Sequence, residues 1–318
     1  MSRECGHFLE LVDIDRVALE EILGLSRMAN LPRLLEGKGV AMMFEKPSNR
    51  TRNATEMAVV ALGGHPVYIA GHEVGLDFRE TAEDVARTLA CYHSIVCVRV
   101  VSHATLVRMA AALDAASSST RIVNLLSDLA HPCQALADML TLQEHFGTVH
   151  GRHLAYVGDS NNVCRSVASA AVMLGMKVAV ASPQGYWLSD SEIDAVRRLG
   201  ELAGGELVVT LDPREAVSGA DAVYTDVWVS MGQEDEERER RAAFSGFTVN
   251  EDLMSVASAN AAVLHCLPAH RGEEISAGVL DGASSLVWKQ AENRMHAMRG
   301  LLAWMCGARL ATINGQHP

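Results

Sequence analysis

The sequence predicts an α/β protein built from two doubly wound parallel-sheet domains, with a long helix leading out of the first. Three observations lead there. Short apolar runs of buried-strand type alternate with helical-period stretches, and the alternation begins afresh near the middle of the chain. At 318 residues the chain is long for one hydrophobic core, so two domains are expected. Polar clusters follow the strand-like runs, where open parallel sheets gather ligands.

In chain order, residues 8–36 read as helices: Phe8, Leu11 and Val12, then Val17, Ile22, Leu23 and Leu25, recur at helical spacing, with Asp13 and Asp15 as caps. Gly39 to Phe44 is an apolar strand. A helix with Ala54, Met57, Ala58, Ala61 and Leu62 follows until Gly63-Gly64 stops it. Pro66 to Ile69 is a second strand, 71–79 a polar loop, and Thr81 to Tyr92 a helix. Ser94 to Val100 is a third strand, Leu106 to Leu113 a helix, and Ile122 to Leu125 a fourth strand. Pro132 to Phe146 is the long helix that leaves the first domain; its proline sits near the start, where no amide is needed.

The second alternation places strands at 153–157, 177–180, 206–210, 222–225 and 262–266. Gln233 to Arg241 is the densest charge run and reads as a solvated helix face or loop. A last helix spans 291–310, with Met295, Met298, Leu301, Leu302 and Met305 as its apolar stripe.

Ser48 falls at the N-cap of the helix after the first strand, where the first amides lack intrahelical partners. Ser48, Thr51, Arg50 and Arg52 add two hydroxyls and two guanidinium groups within five residues, so this helix start is a ready anion site.

Bulk composition narrows the partners. The net charge is −12, from 27 basic and 39 acidic side chains, which argues against a general nucleic-acid or membrane partner but leaves room for a local basic pocket. Seven cysteines are scattered without a CxxC pair, which suits a reducing compartment and suggests neither a disulfide framework nor a zinc site. With no signal-type apolar stretch and no run of spanning length, a cytoplasmic protein is expected. No metal and no cofactor are expected.

Five polar clusters line up with strand ends: Arg99; Ser127-Asp128 with His131-Pro132-Cys133-Gln134; Asp159 to Asn162; Asp226 to Gly232; and His265-Cys266-Leu267-Pro268. Of these, His131-Pro132-Cys133-Gln134, Asp226 to Gly232 and His265-Cys266-Leu267-Pro268, together with Ser48-Asn49-Arg50-Thr51-Arg52 and Glu292-Asn293-Arg294, in this order and spacing, make the chain resemble the ornithine carbamoyltransferases over essentially its whole length. The resemblance implies a carbamoyl-phosphate domain over 1–147, completed by a C-terminal helix (290–318) that crosses back to it. It also implies an ornithine domain over 148–289 and a homotrimer, or a multiple of trimers, with sites at subunit boundaries.

The same resemblance assigns roles. Ser48, Asn49, Arg50 and Thr51 would hold the phosphate, Arg99 would bridge phosphate and carbamoyl oxygen, and His131 and Gln134 would hydrogen-bond the carbamoyl group. Pro132, Cys133, Cys266, Leu267 and Arg294 would complete the donor site. Asn162, Asp226, Ser230 and Met231 would bind ornithine, and Arg99, His131, Asp226 and Cys266 would form the catalytic group. Donors on the carbonyl stabilise the oxyanion of a tetrahedral intermediate. Covalent catalysis by Cys266 is not expected, since the amine attacks the carbamoyl carbon directly.

Two departures and three rival readings stand beside this. Asn49 replaces the family's usual threonine. Gly75 stands where many members place a glutamine reaching into a neighbouring site, and Asp77 where glycine is usual; an acid there would repel phosphate unless turned away. The rival functions are a carbamoyltransferase for putrescine, N-acetylornithine or aspartate, and a catalytically silent relative kept as a binding subunit. A Rossmann nucleotide site after Val157 lacks the second glycine of its fingerprint.

Overall fold

A computed structural model of the protein, describing residues 6–230 and 234–314, places the apolar run Gly39–Phe44 in strand β1. β1 lies inside a parallel sheet with β2 (His65–Ala70), β3 (His93–Arg99) and β4 (Arg121–Leu126), in the order β2-β1-β3-β4. Val40 to Met43 are fully buried, as expected for a strand paired on both sides and covered on both faces. The helices around this sheet are α1 (Arg16–Arg27), α2 (Asn49–Ala61), α3 (Gly71–Val74), α4 (Ala82–Ala90) and α5 (His103–Ala115). Met43, Val96, Val98, Leu106, Met109 and Ile122 are among the residues of its core.

Two details depart from the sequence expectation. The first helical stretch ends at Arg27 instead of running to 36, and Pro32 lies in the segment that follows. Asp15 caps α1 by accepting the Ala18 amide at 2.8 Å. The expected loop at 71–79 begins with one helical turn, α3, closed by Gly75 in the left-handed conformation (φ 66°), whose amide donates to the Gly71 carbonyl at 2.9 Å.

The second sheet is also all parallel: β5 (His153–Val157), β6 (Lys177–Ala181), β7 (Glu206–Thr210), β8 (Ala222–Thr225) and β9 (Ala262–His265), ordered β7-β6-β5-β8-β9. The connecting helices divide between both units. α6 (Pro132–Phe146) leads into the second, whose own helices are α7 (Asn162–Met173), α8 (Asp190–Gly200), α9 (Pro213–Val217), α10 (Glu237–Ala243), α11 (Glu251–Met254) and α12 (Ala277–Leu280). α13 (Val287–Met305) and α14 (Leu310–Asn314) close the chain. Gly307 (φ 88°) separates those last two, so the expected single helix over 291–310 is interrupted.

The chain divides into two units, Met1–Leu140 with Glu292–Pro318, and Thr141–Ala291. The divisions fall inside α6 and inside α13, so each of these helices belongs to both units. In the first sheet the winding direction reverses between β1 and β3; in the second it reverses between β5 and β8. At such a switch point the neighbouring connections leave in opposite directions and open a crevice at the carboxyl edge. Of the polar clusters, those that follow β1, β3, β5 and β8 border these two crevices.

Candidate active site

In the first unit the carboxyl ends of β1 and β3 are tied together. The Glu45 amide donates to the Arg99 carbonyl at 2.9 Å, and the Glu45 carboxylate accepts the Val101 amide at 2.6 Å. This fixes where α2 begins. Ser48 is its N-cap, with Oγ accepting the Thr51 amide at 3.4 Å, a long bond that leaves the hydroxyl weakly held. Thr51 Oγ1 accepts from Arg294 Nη2 at 3.1 Å. The other arm of Arg294 donates to Gln134 Oε1, and Gln134 Nε2 donates to Asp138 Oδ1 at 2.7 Å.

Arg99 is buried against this group. Burial first, and then the like charges of Arg294 and Arg50, bring its guanidinium down to about 10. Its Nε has no hydrogen-bond partner among the described residues. His131, just before α6, is pushed well below the ordinary histidine value by burial and then by Arg294 and Arg99, so its imidazole is neutral at pH 7. Three guanidinium groups and a neutral imidazole thus converge at a helix start. Such a site is repulsive until an anion enters it.

Not every residue of these motifs faces the pocket. Arg52 is committed elsewhere: Nε donates to Glu56 at 2.8 Å and the guanidinium lies 3.8 Å from the Tyr68 ring centroid. Of the two arginines expected to charge the helix start, Arg50 is therefore the one left beside Arg99. Asn49 Oδ1 accepts from Asn53 Nδ2 at 3.0 Å. The Cys133 thiol, lifted to about 12 by burial, donates to the Asn124 carbonyl at 3.3 Å, and Pro132 opens α6. Ser127 and Asp128 bond His103 at the start of α5, with Asp128 Oδ1 accepting its amide at 2.7 Å. Asp77 does not lie loose: Arg108 grips it with bonds of 2.8 and 2.9 Å and also holds Glu83.

In the second unit Asp226 follows β8 and Asn161 precedes α7, so the two stand on either side of the switch point. Asn161 Nδ2 donates to Asp226 Oδ2 at 2.9 Å, while Asn161 Oδ1 caps α7 by accepting the amides of Val163 and Cys164. Asp226 Oδ1 accepts its neighbour's amide, Val227, at 2.8 Å and the Cys266 thiol at 2.9 Å. Cys266 is therefore a donor to the carboxylate, which is the wrong state for a nucleophile.

The turn bearing Cys266 and Leu267 is braced by His265. Its Nδ1 accepts the Leu267 amide at 2.9 Å, which leaves the proton on Nε2 to be donated to Glu274 Oε1 at 2.9 Å. Leu267 is left-handed (φ 60°) and precedes a cis peptide to Pro268. Asn162 is the first residue of α7, its carbonyl accepting from Ser166 Oγ at 2.8 Å. Ser230 is half-buried at the end of the described segment, and Met231 lies outside the described residues.

Comparison with known proteins decides the family. The profile described as "Aspartate/ornithine carbamoyltransferase, carbamoyl-P binding domain" matches residues 6–144, and its partner, "Asp/Orn binding domain", matches 150–305. The chain belongs to the aspartate/ornithine carbamoyltransferase family. Within that family it is 43% identical over 314 residues to the ornithine carbamoyltransferase of Methanoculleus marisnigri, covering 96% of this chain and 99% of that one. It is 45% identical over 307 residues to that of Acidothermus cellulolyticus, covering 95% and 97%. The solved ornithine carbamoyltransferase of Pyrococcus furiosus superposes with a TM-score of 0.91 at 41% identity, covering 97% of this chain and 99% of that one.

Several members of this carbamoyltransferase's polar network escape a reading of motifs. Asn161 carried a visible signal, since an asparagine just before a helical stretch is an N-cap. Asp138 lies four residues after Gln134, the spacing at which helical side chains meet. Asp159 lay in a polar cluster at a strand end, but its pairing with Arg240, 81 residues away, carried no signal along the chain.

Among the described residues, two groups of side chains bring possible metal ligands within 4.8 Å of one another: Asp226, His265 and Cys266, and His270, Glu273 and Glu274. In the first, both ring nitrogens of His265 and the Cys266 thiol are already engaged in the bonds above.

Proposed function

We infer that this protein transfers the carbamoyl group of carbamoyl phosphate to the side-chain amine of L-ornithine, giving L-citrulline and phosphate. The observation that carries the reading is the convergence of Arg50, Arg99 and Arg294 with Thr51 at the start of α2. A doubly charged phosphate relieves their mutual repulsion and meets the free amides of the helix start.

The donor belongs to the first unit. Ser48, Asn49, Arg50 and Thr51 hold the phosphate, Asn49 through its backbone. Arg99 spans phosphate and carbamoyl oxygen. Neutral His131 donates one hydrogen bond to that oxygen, and the Asp138–Gln134 pair orients an amide beside it. The amine nitrogen attacks the carbamoyl carbon and the carbonyl becomes an oxyanion held by Arg99 and His131. The bond from carbon to phosphate oxygen then breaks. The attacking amine must be neutral although a free one titrates near about 10. Asp226 and Cys266 position it, and the departing phosphate accepts its proton. Arg294 completes the donor site, and Leu267 lies beside the reacting amine.

The acceptor belongs to the second unit, where Asn162, Asp226, Ser230 and Met231 bind ornithine. An α-amino acid head suits the Asp226–Ser230 segment, which putrescine could not engage. Support for the cytoplasm is the scattered free cysteines; among the described residues no helix is long and apolar enough to cross a membrane. A homotrimer is part of the reading, supported by the resemblance.

A citrulline assay with carbamoyl phosphate and, in turn, ornithine, putrescine, N-acetylornithine and aspartate tests it. Turnover with ornithine alone is the expected result. Turnover with another acceptor, or with none, overturns it.

A further inference from the structure

Residues 235–239 of the charge run are solvent-exposed, as a solvated face should be, but the next residue, Arg240, is buried. Its guanidinium has three partners. Nη1 donates to Asp159 Oδ2 at 2.8 Å and to the Trp228 carbonyl at 3.0 Å, and Nε donates to Glu236 at 2.9 Å. It also lies 5.0 Å from the Tyr186 ring centroid, and the Tyr186 carbonyl accepts the Ser160 amide. One side chain therefore links the turn after β5, the loop after β6 and the segment after β8. These three connections border the switch point of the second sheet.

Trp228 is packed in the core of the second unit. Its ring stacks on Phe244 at 5.7 Å, and its indole N–H is buried without a partner among the described residues. The carbonyl bond to Arg240 is a polar restraint on the backbone midway between Asp226 and Ser230. Nη1 serves the carboxylate and the carbonyl while Nε, on the other edge of the planar group, serves Glu236, a spread of donors that the single nitrogen of a lysine does not offer.

We propose that Arg240 is a positioning residue for the acceptor: by holding Asp159 and the Trp228 carbonyl together it sets the Asp226–Ser230 segment in the conformation that receives ornithine. This rests on the reading of that segment as acceptor-binding. Arg240 touches no reacting atom, so its loss acts on ornithine recognition and leaves donor binding alone.

The test compares Arg240→Met, Arg240→Lys and Ser230→Ala with the parent enzyme. Citrulline formation is measured against each substrate with the other saturating, and each variant's melting temperature is recorded. In Arg240→Met the KM for ornithine is expected to rise about tenfold, with the KM for carbamoyl phosphate within about twofold of the parent. Arg240→Lys should fall between, and carries the same comparison if the methionine variant does not fold. An unchanged ornithine KM in a folded variant overturns the proposal, as does an equal rise for both substrates, which marks a merely structural role. If Ser230→Ala raises the ornithine KM while the Arg240 variants do not, the proposal alone fails. If neither has an effect, the acceptor-binding reading fails with it.

Discussion

Asn161 and Asp226 are joined by a 2.9 Å hydrogen bond across the switch point of the second sheet, and the same asparagine caps α7 with its other atom. The two halves of one amide thus do different things: oxygen secures a helix, nitrogen aims a carboxylate. Asn161→Asp keeps the cap but sets a second carboxylate against Asp226. Like charges at that distance disfavour ionisation of both. The expected outcome is near-parental thermal stability with a rise in ornithine KM of about tenfold or more. Asn161→Ala should lower stability as well, by about 1 kcal/mol for the lost cap. Thermal melts and steady-state kinetics on both variants check this.

His131 is held neutral by burial and two arginines, so it can donate one hydrogen bond without carrying charge. His131→Leu removes that donor at similar volume. A fall in kcat of about a hundredfold or more is expected, with carbamoyl-phosphate binding largely retained by the arginines. Single-turnover rates and equilibrium donor binding separate the two effects.

Glu274 and His265 are both fully buried, and Glu274 Oε1 accepts from the His265 ring and from the His270 amide. Glu274→Leu strands both donors in an apolar setting and is expected to lower the unfolding free energy by about 3 kcal/mol. Glu274→Gln keeps the accepting oxygen and should cost about 1 kcal/mol or less. Urea unfolding monitored by circular dichroism distinguishes them.

Burial lifts the Asp159 carboxyl to about 6 against the pull of Arg240, and Asp226 and Glu236 push the same way. Below that value Asp159 is neutral and its ion pair with Arg240 is lost; above it the pair is intact. The ornithine KM is therefore expected to climb as pH falls from about 7 to about 5, beyond the climb that protonation of the free amine causes. Asp159→Asn cannot titrate and should show only the amine's contribution. Matching profiles for parent and variant would remove Asp159 from the pH response.

Gly75 and Asp77 illustrate how a departure from family pattern is resolved by packing. Gly75 closes α3 at φ 66°, and a Cβ there would meet the Arg79 Cβ at 2.8 Å, so a side chain is excluded for local reasons. Asp77 is left-handed too (φ 57°), a conformation aspartate tolerates better than most residues. Its charge, which the sequence set in doubt beside a phosphate, is taken by Arg108, thirty-one residues away.

The amino-acid order alone determined the alternation of strands and helices, the Ser48 cap, the limits of β1 and α6, and the motifs that mark the family. Each of these is a local property: apolar periodicity, a capping hydroxyl, a proline where no amide is needed. α7 was not separately legible, because it is buried along nearly its whole length and shows little polar face. Only the tertiary structure decided that Arg52 lies over Tyr68 while Arg50 stays beside Arg99, that Asn161 holds Asp226, and that Arg240 leaves its charged run for Asp159. Those outcomes depend on which distant group lies within about 3 Å once the sheets have wound, and no spacing along the chain encodes that distance.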